Sequence, residues 1–277
     1  MKVSVNGAEL HYSTLGSGSP CMVLSAVGTK PYIRMTSAAL GSRQKLVYVD
    51  LRGGGQSTGS AAELTFEVLA ADLEAIRGEL GAERVTVLGH SVLGILAIEY
   101  GRRCPKAVSH VIAVGTPPVW DLPKLASDSA HFFDADASDA RKRVLRENMA
   151  RLPQVATPGQ SMLAQTPMRF FDPCFDAAAV FAESEFRPEL LRHVMGTLVN
   201  GWDIRCGSDS LCVPLLIAHG RYDYTVPYVL WEGLADTLPH TTMRLFGRSG
   251  HQPFLEEPEA FGAAVVDWMA GEGKDAA

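Results

Sequence analysis

The stretch VLGHSVLGILAIEYG, residues 87–101, sets Ser91 between an apolar run of strand type and a run of helical type. A serine hydroxyl is a weak nucleophile until an imidazole can take its proton and a carboxylate holds that imidazole in one tautomer. Two later segments supply those residue types. HGRYDYTVP (219–227) places Asp223 in a turn after an apolar run, and GRSGHQPFLEEPEAF (247–261) places His251 in a loop that leads into the last helix. An aspartate in a turn and a histidine in a loop are each common. A serine, a carboxylate and an imidazole at three strand ends, in that order, are far less so. The chemistry expected of the set is attack by Ser91, proton transfer by His251 and orientation of the imidazole by Asp223.

The bend around Ser91 follows the outline G-x-S-x-G with one departure: Leu93 stands at the second glycine, and Gly94 follows it. Strand, turn and helix crowd together at such a bend, so a small residue is favoured there. With Gly89 before the serine and Gly94 after it, a slight shift of the helix keeps Ser91 exposed. His90, next to the serine on a strand end, is expected to point the other way and pack.

The elements that must position these residues are legible in outline. After an amino-terminal hairpin through Asn6-Gly7, apolar β-rich runs at 21–25, 45–50, 84–89, 108–115, 213–220 and 242–247 alternate with helical stretches such as 65–80 and 94–103. Continuous apolar strands separated by helices describe a buried parallel sheet, hence an α/β fold. The alternation stops between about Thr116 and Gly207. There ARKRVLRENMARL (140–152), FDAAAVFAESEF (175–186) and PELLRHVMGTLVNG (188–201) are helical in period, which predicts an inserted helical cap entered through GTPPVW (115–120) and left through RCGSDSLCVP (205–214). The polar tail GEGKDAA (271–277) is expected to fray.

Composition bounds the function. The chain has 277 residues, 47% hydrophobic and 20% charged, with a formal net charge of -6. That is an ordinary globule without the basic footprint of a nucleic-acid binder, so the expected partner is a small-molecule substrate. No apolar run reaches membrane-spanning length and no signal-peptide core opens the chain, so the expected location is the cytoplasm. Cys21, Cys104, Cys174, Cys206 and Cys212 lack C-x-x-C spacing, which predicts packed thiols rather than a disulfide framework or a zinc site. No metal or cofactor is expected.

Taken in order, DLRGGGQS (50–57), GHSVLG (89–94), GRYDYTVP (220–227) and SGHQPFLEEPEAF (249–261) resemble the cap-bearing α/β-hydrolase superfamily, and within it the proline-iminopeptidase-like and esterase branches. The resemblance spans nearly the whole chain. It implies a mostly parallel central sheet flanked by helices, with a core over 1–116 and 207–277 and a cap over 117–206. It implies Ser91 as nucleophile, Asp223 as acid and His251 as base. It also implies an oxyanion hole from the backbone N–H groups of Val92 and of Val27, the latter in LSAVGTKP (24–31), where relatives have His-Gly and where Gly28 supplies flexibility. A serine at the elbow separates the chain from the haloalkane dehalogenase and epoxide hydrolase branches, which use a carboxylate nucleophile. Arg52 with Asp50 is expected to brace the loop beside the elbow.

The expected activity is metal-independent hydrolysis of a carboxylic ester or lactone, and the chain is similar to macrolide-type esterases that open a large ring. The alternatives are a proline-iminopeptidase-like aminopeptidase and a ligand-binding protein that keeps the fold without turnover. Phe170, Phe171, Met162 and Met168 are the expected wall of a broad pocket, although aromatic residues at such spacing, with Phe175 and Phe181, also suit a helical core. Glu147, with Glu183 and Glu185, is either solvated surface or an attractor of a cationic substrate group.

Overall fold

A computed structural model describes residues 1–207 and 210–271. Strands β1 (Lys2–Val5) and β2 (Ala8–Leu15) form the expected hairpin, with φ of 45° at Asn6 and 76° at Gly7, the left-handed pair that a type I′ turn requires. Then come β3 (Pro20–Ser25), α1 (Thr29–Leu40), β4 (Lys45–Asp50), α2 (Phe66–Glu79), β5 (Val85–His90), α3 (Val92–Arg103) and β6 (Val108–Val114). Six helices follow: α4 (Leu122–Asp136), α5 (Asp139–Ala150), α6 (Pro158–Ala164), α7 (Thr166–Arg169), α8 (Ala178–Phe181) and α9 (Pro188–His193), the last running into a π turn over Val194–Leu198. The chain returns through β7 (Leu215–Gly220) and β8 (Thr241–Phe246) and ends in α10 (Pro253–Glu256) and α11 (Pro258–Met269).

The eight strands form one sheet in the order β1-β2-β4-β3-β5-β6-β7-β8. The β1–β2 and β2–β4 pairs are antiparallel and all pairs from β4 to β8 are parallel. Each of β3 to β7 is almost wholly buried, which is why these strands read as unbroken apolar runs. After β3 the chain steps to β4 on one side, and then crosses back to β5 on the other. The helices that follow β3 and β5 therefore diverge and leave a crevice at the carboxyl ends of these strands, the place where open α/β sheets bind ligands.

The expected strands fall within one or two residues of the observed ones. The helices are less well anticipated. Helix α1 was not anticipated and begins inside LSAVGTKP; Pro31 sits in its first turn, a position that tolerates the missing N–H. Between β6 and β7 the described residues carry these helices joined by loops; α4 was not foreseen, and FDAAAVFAESEF forms only the short α8. One isolated bridge, Val119 with Asp203, and a Trp120 N–H bond to Trp202 O (2.7 Å) pin the entry of this insertion to its exit. Ser208 and Asp209 of that exit, and residues 272–277 of the tail, lie outside the described residues. Cys174, Cys206 and Cys212 are exposed rather than packed. No helix among the described residues is long and apolar enough to cross a membrane.

Candidate active site

Ser91 stands between β5 and α3 with φ 58° and ψ -132°, a conformation that a non-glycine residue holds only at a cost of about 1–3 kcal/mol. The surroundings enforce it. Ser91 N–H donates to Val114 O (2.8 Å), and Ser91 O accepts from Gly94 N–H (3.0 Å) and from the Thr116 hydroxyl (3.0 Å). Although Ser91 is the N-cap of α3, its hydroxyl makes no capping bond and is left for other work. The glycine shifted to position 94 is needed where it is, because a Cβ there would run into the Thr116 side chain. Leu93 is buried and presents its side chain to the cavity beside the serine.

Asp223 and His251 follow β7 and β8, and both are fully buried. His251 Nδ1–H donates to Asp223 Oδ2 (2.7 Å), while Asp223 Oδ1 accepts the N–H groups of Thr225 and Val226, both at 2.9 Å. With Nδ1 committed, the bare nitrogen is Nε2, a buried atom without a hydrogen-bond partner. Burial pushes the His251 imidazole well below its usual value, and the charges of Arg169 and His219 act the same way. Burial raises the Asp223 carboxyl, opposed by His219, the Val226 N–H, Arg169 and the Thr225 N–H. His90 does pack, but against His251 itself: the ring centroids are 4.6 Å apart. Its Nε2–H donates to His251 O (2.9 Å), so its Nδ1 accepts from the Tyr32 hydroxyl (3.3 Å).

A short segment of the insertion holds both loops. Met168 O accepts from Tyr224 N–H (2.9 Å), and Arg169 O accepts from His251 N–H (2.7 Å). Gly250 permits this approach, since a Cβ there would collide with the Arg169 carbonyl. The Glu256 carboxylate accepts from Phe171 N–H (2.6 Å) and Gly250 N–H (2.8 Å), fastening the same segment from the other side. Sequence reasoning missed this strap. Its only signal is a charged residue, Arg169, inside the apolar run PMRFF.

A cavity of about 340 Å³ opens at the crevice between β3 and β5. Its floor is Ala26, Val27, His90, Ser91, Val92 and Leu93. Its roof comes from the insertion, including Met162, Phe181 and Met195, with Arg169 and Ser184 as polar members. Of the residues expected to line a substrate pocket, only Met162 does so. Phe170 is fully buried and stacked on Phe175 (4.5 Å between centroids), Phe171 packs on Tyr222 (5.0 Å), and Met168 joins a small cluster with Phe133 and Tyr224. Glu147 lies on a separate surface groove near Arg151. Helical period finds the face a helix buries but not the neighbour that face meets. Glu183 is held by Lys30 (2.5 Å) and Arg34, not poised for a ligand. Arg52 pairs with Asp72, not Asp50; Asp50 bonds His11 (2.9 Å) and Gln56 N–H (3.0 Å).

Val92 N–H lies in the first turn of α3, where no intrahelical acceptor exists. Val27 N–H is bonded at 3.2 Å to the Ser25 hydroxyl, which itself donates to Gly28 O (2.7 Å); Gly28 has φ 87° at the N-cap of α1. Among the described residues no group of three or more His, Cys, Asp or Glu side chains is placed to hold a metal ion.

Comparison with known proteins agrees with this architecture. The model of the alpha/beta hydrolase fold family matches residues 28–258. The AB hydrolase superfamily protein YclE of Bacillus subtilis is 30% identical over 273 residues, which cover 95% of this chain and 96% of that protein. A pimeloyl-[acyl-carrier protein] methyl ester esterase of Vibrio parahaemolyticus is 25% identical over 94% of this chain and 98% of its own length. Among solved structures, proline iminopeptidase of Mycobacterium smegmatis superposes with a TM-score of 0.72 at 20% identity, covering 98% of each chain.

Proposed function

We propose that this chain, which belongs to the α/β-hydrolase fold family, hydrolyses carboxylic esters through an acyl-enzyme formed on Ser91. One arrangement carries the reading: a strained elbow serine with an uncommitted hydroxyl, whose chain neighbour His90 packs 4.6 Å between centroids from an imidazole, that of His251, with its Nδ1–H given to Asp223 and its Nε2 bare. Ser91 Oγ attacks the ester carbonyl while its proton passes to His251 Nε2. The same proton then goes to the departing alkoxide. Water repeats the sequence on the acyl-enzyme and restores Ser91. Asp223 keeps Nδ1 protonated and stabilises the transient imidazolium. Val92 N–H, at the amino end of α3, receives the oxyanion; Val27 N–H serves as the second donor when it leaves Ser25. Residues 117–206 act as the cap over a core formed by 1–116 and 207–277.

The cavity supports a compact substrate. At about 340 Å³ it lies near the lower end of small-ligand pockets and suits a short acyl chain better than a macrolide ring. Its lining includes Arg169 and no carboxylate. That is the wrong sign both for a basic amino sugar and for the free amine of an aminopeptidase substrate. A fluorophosphonate probe together with a p-nitrophenyl ester tests the reading and separates an enzyme from a ligand-binding protein. The expected result is a label on Ser91 and steady turnover; folded protein that neither labels nor turns over would overturn it.

A further inference from the structure

The charge on Arg169 is matched by no contact among the described residues. Among the described residues three arginines are buried as whole residues: Arg52, Arg141 and Arg169. Arg52 holds Asp72 through two nitrogens, and Arg141 donates to the carbonyl oxygens of Pro167, Phe170 and Phe171. Arg169 has neither kind of partner: its Nε is buried without a hydrogen bond, and its side chain makes no ion pair or hydrogen bond among the described residues. Burial lowers its pKa, against the distant help of Asp223 and Tyr32, yet a guanidinium stays charged in proteins. A fold seldom takes a charge from water without a partner unless a ligand provides one. Arg169 lines the cavity that holds Ser91, and beside it Ser184 contributes a hydroxyl that is also buried without a partner.

We propose that the substrate of this site is an ester carrying a carboxylate, and that Arg169 binds that carboxylate. The inference rests on the ester-hydrolase reading and narrows it to acidic esters. A carboxylate is favoured over a phosphate because one guanidinium fork matches one planar monoanion, whereas a buried dianion would need more positive charge than this lining holds. The remaining lining, from Met35 and Leu93 to Phe181 and Met195, suits the methylene chain between the carboxylate and the ester.

The test uses methyl hydrogen dicarboxylates from succinate to suberate, each paired with the methyl ester whose far end is a carboxamide. At neutral pH the wild-type enzyme is expected to favour the carboxylate member at one or more chain lengths by about ten- to a hundredfold in kcat/KM, chiefly through KM, the range of a charge-assisted hydrogen bond. Arg169→Met should abolish the preference and Arg169→Lys should restore part of it. Should the variants fail to fold, inhibition of the wild type by free dicarboxylates against monocarboxylates of equal length reads the same contact. Equal kcat/KM within every wild-type pair overturns the proposal. So does an Arg169→Met enzyme that loses the same factor on both members, which would assign Arg169 to the electrostatics of His251 and Asp223 alone. Turnover of neither series by a protein whose Ser91 labels also sinks it. If Ser91 does not label and no ester is cleaved, the hydrolase reading fails first and the proposal falls with it.

Discussion

Asp223 and His251 are fully buried, and their loops are tied to each other and to the 168–170 strap: Tyr222 N–H donates to Ser249 O, Tyr224 N–H to Met168 O and His251 N–H to Arg169 O. Across the insertion, by contrast, α5 has a single buried residue, Arg141, and the rim meets α1 through exposed pairs such as Glu183 with Lys30. Both regions carry charged residues, but apart from Arg141, which donates to the carbonyl oxygens of Pro167, Phe170 and Phe171, those of α5 are exposed or half-buried. The contrast teaches where the insertion is held: the groups proposed to make bonds, and Arg169 proposed to choose the substrate, sit where buried backbone bonds tie the strap to the loops of Asp223 and His251, whereas the outer helices and rim rest on exposed pairs that can shift at little cost.

The harshest way to break this division is to remove the nucleophile. Ser91→Ala is expected to lower kcat by several orders of magnitude, leaving about the 10³–10⁴-fold over water that oxyanion and binding contacts supply, with no loss of thermal stability. Steady-state turnover and a melting curve on the same sample check it. Near-normal turnover would remove the chemistry from the rigid region altogether.

Next in size is the pH profile, which joins the two regions through Arg169. The base works only when the His251–Asp223 pair carries no extra proton, so kcat/KM falls as pH drops through the pair's acid-side titration; the two groups titrate as a unit. The charge on Arg169 lowers the pKa of both His251 and Asp223. Its removal in Arg169→Met makes protonation of either group easier, so the acid limb must move to higher pH whichever takes the proton. A limb that stays put or moves to lower pH would mean that the insertion does not reach the reacting pair electrically.

The same division explains what could be read from the residues alone. Ser91, Asp223 and His251 were legible because each ends a strand whose apolar run announces itself, and the runs fix the order of the loops. Asn6-Gly7 was legible because few dipeptides turn that way. Phe170, Phe171 and Met168 misled for the opposite reason: their spacing marks a packed face, but Phe170 is buried on Phe175, and Phe171 and Met168 are half-buried, Phe171 on Tyr222 and Met168 in the cluster of Phe133 and Tyr224, rather than over Ser91. Arg169 was invisible because α7 is a single turn, too short for any period to show which way a side chain points. Leu93, which looked like a defect of the elbow, is a wall of the cavity.

A milder perturbation tests the strap that joins the regions. Gly250→Ala forces a Cβ against the Arg169 carbonyl, and the strap, the histidine loop or both must shift. Overpacking of this kind costs about 1–3 kcal/mol, so the melting temperature should drop, and kcat should fall because His251 N–H is bonded to the displaced carbonyl. Loss of stability with kcat intact would show that the strap supports the fold without positioning the base.

The smallest expected effect lies at the rim. Glu183→Gln removes the anion that Lys30 and Arg34 share, but all three side chains are well exposed, and exposed pairs contribute little to stability. The melting temperature should not change measurably. The pair does, however, tie residues 182–183 to the start of α1, and Glu185 N–H donates to Val27 O (2.8 Å) just beside it, so the rim rests on the loop that carries Val27, the proposed second oxyanion donor. Loosening it should raise KM by a small factor with kcat nearly unchanged, and the difference from wild type should shrink as salt screens the wild-type pair. A KM insensitive to both substitution and salt would place the rim outside the path of the substrate, and leave the 168–170 strap as the main link between the insertion and the reacting groups.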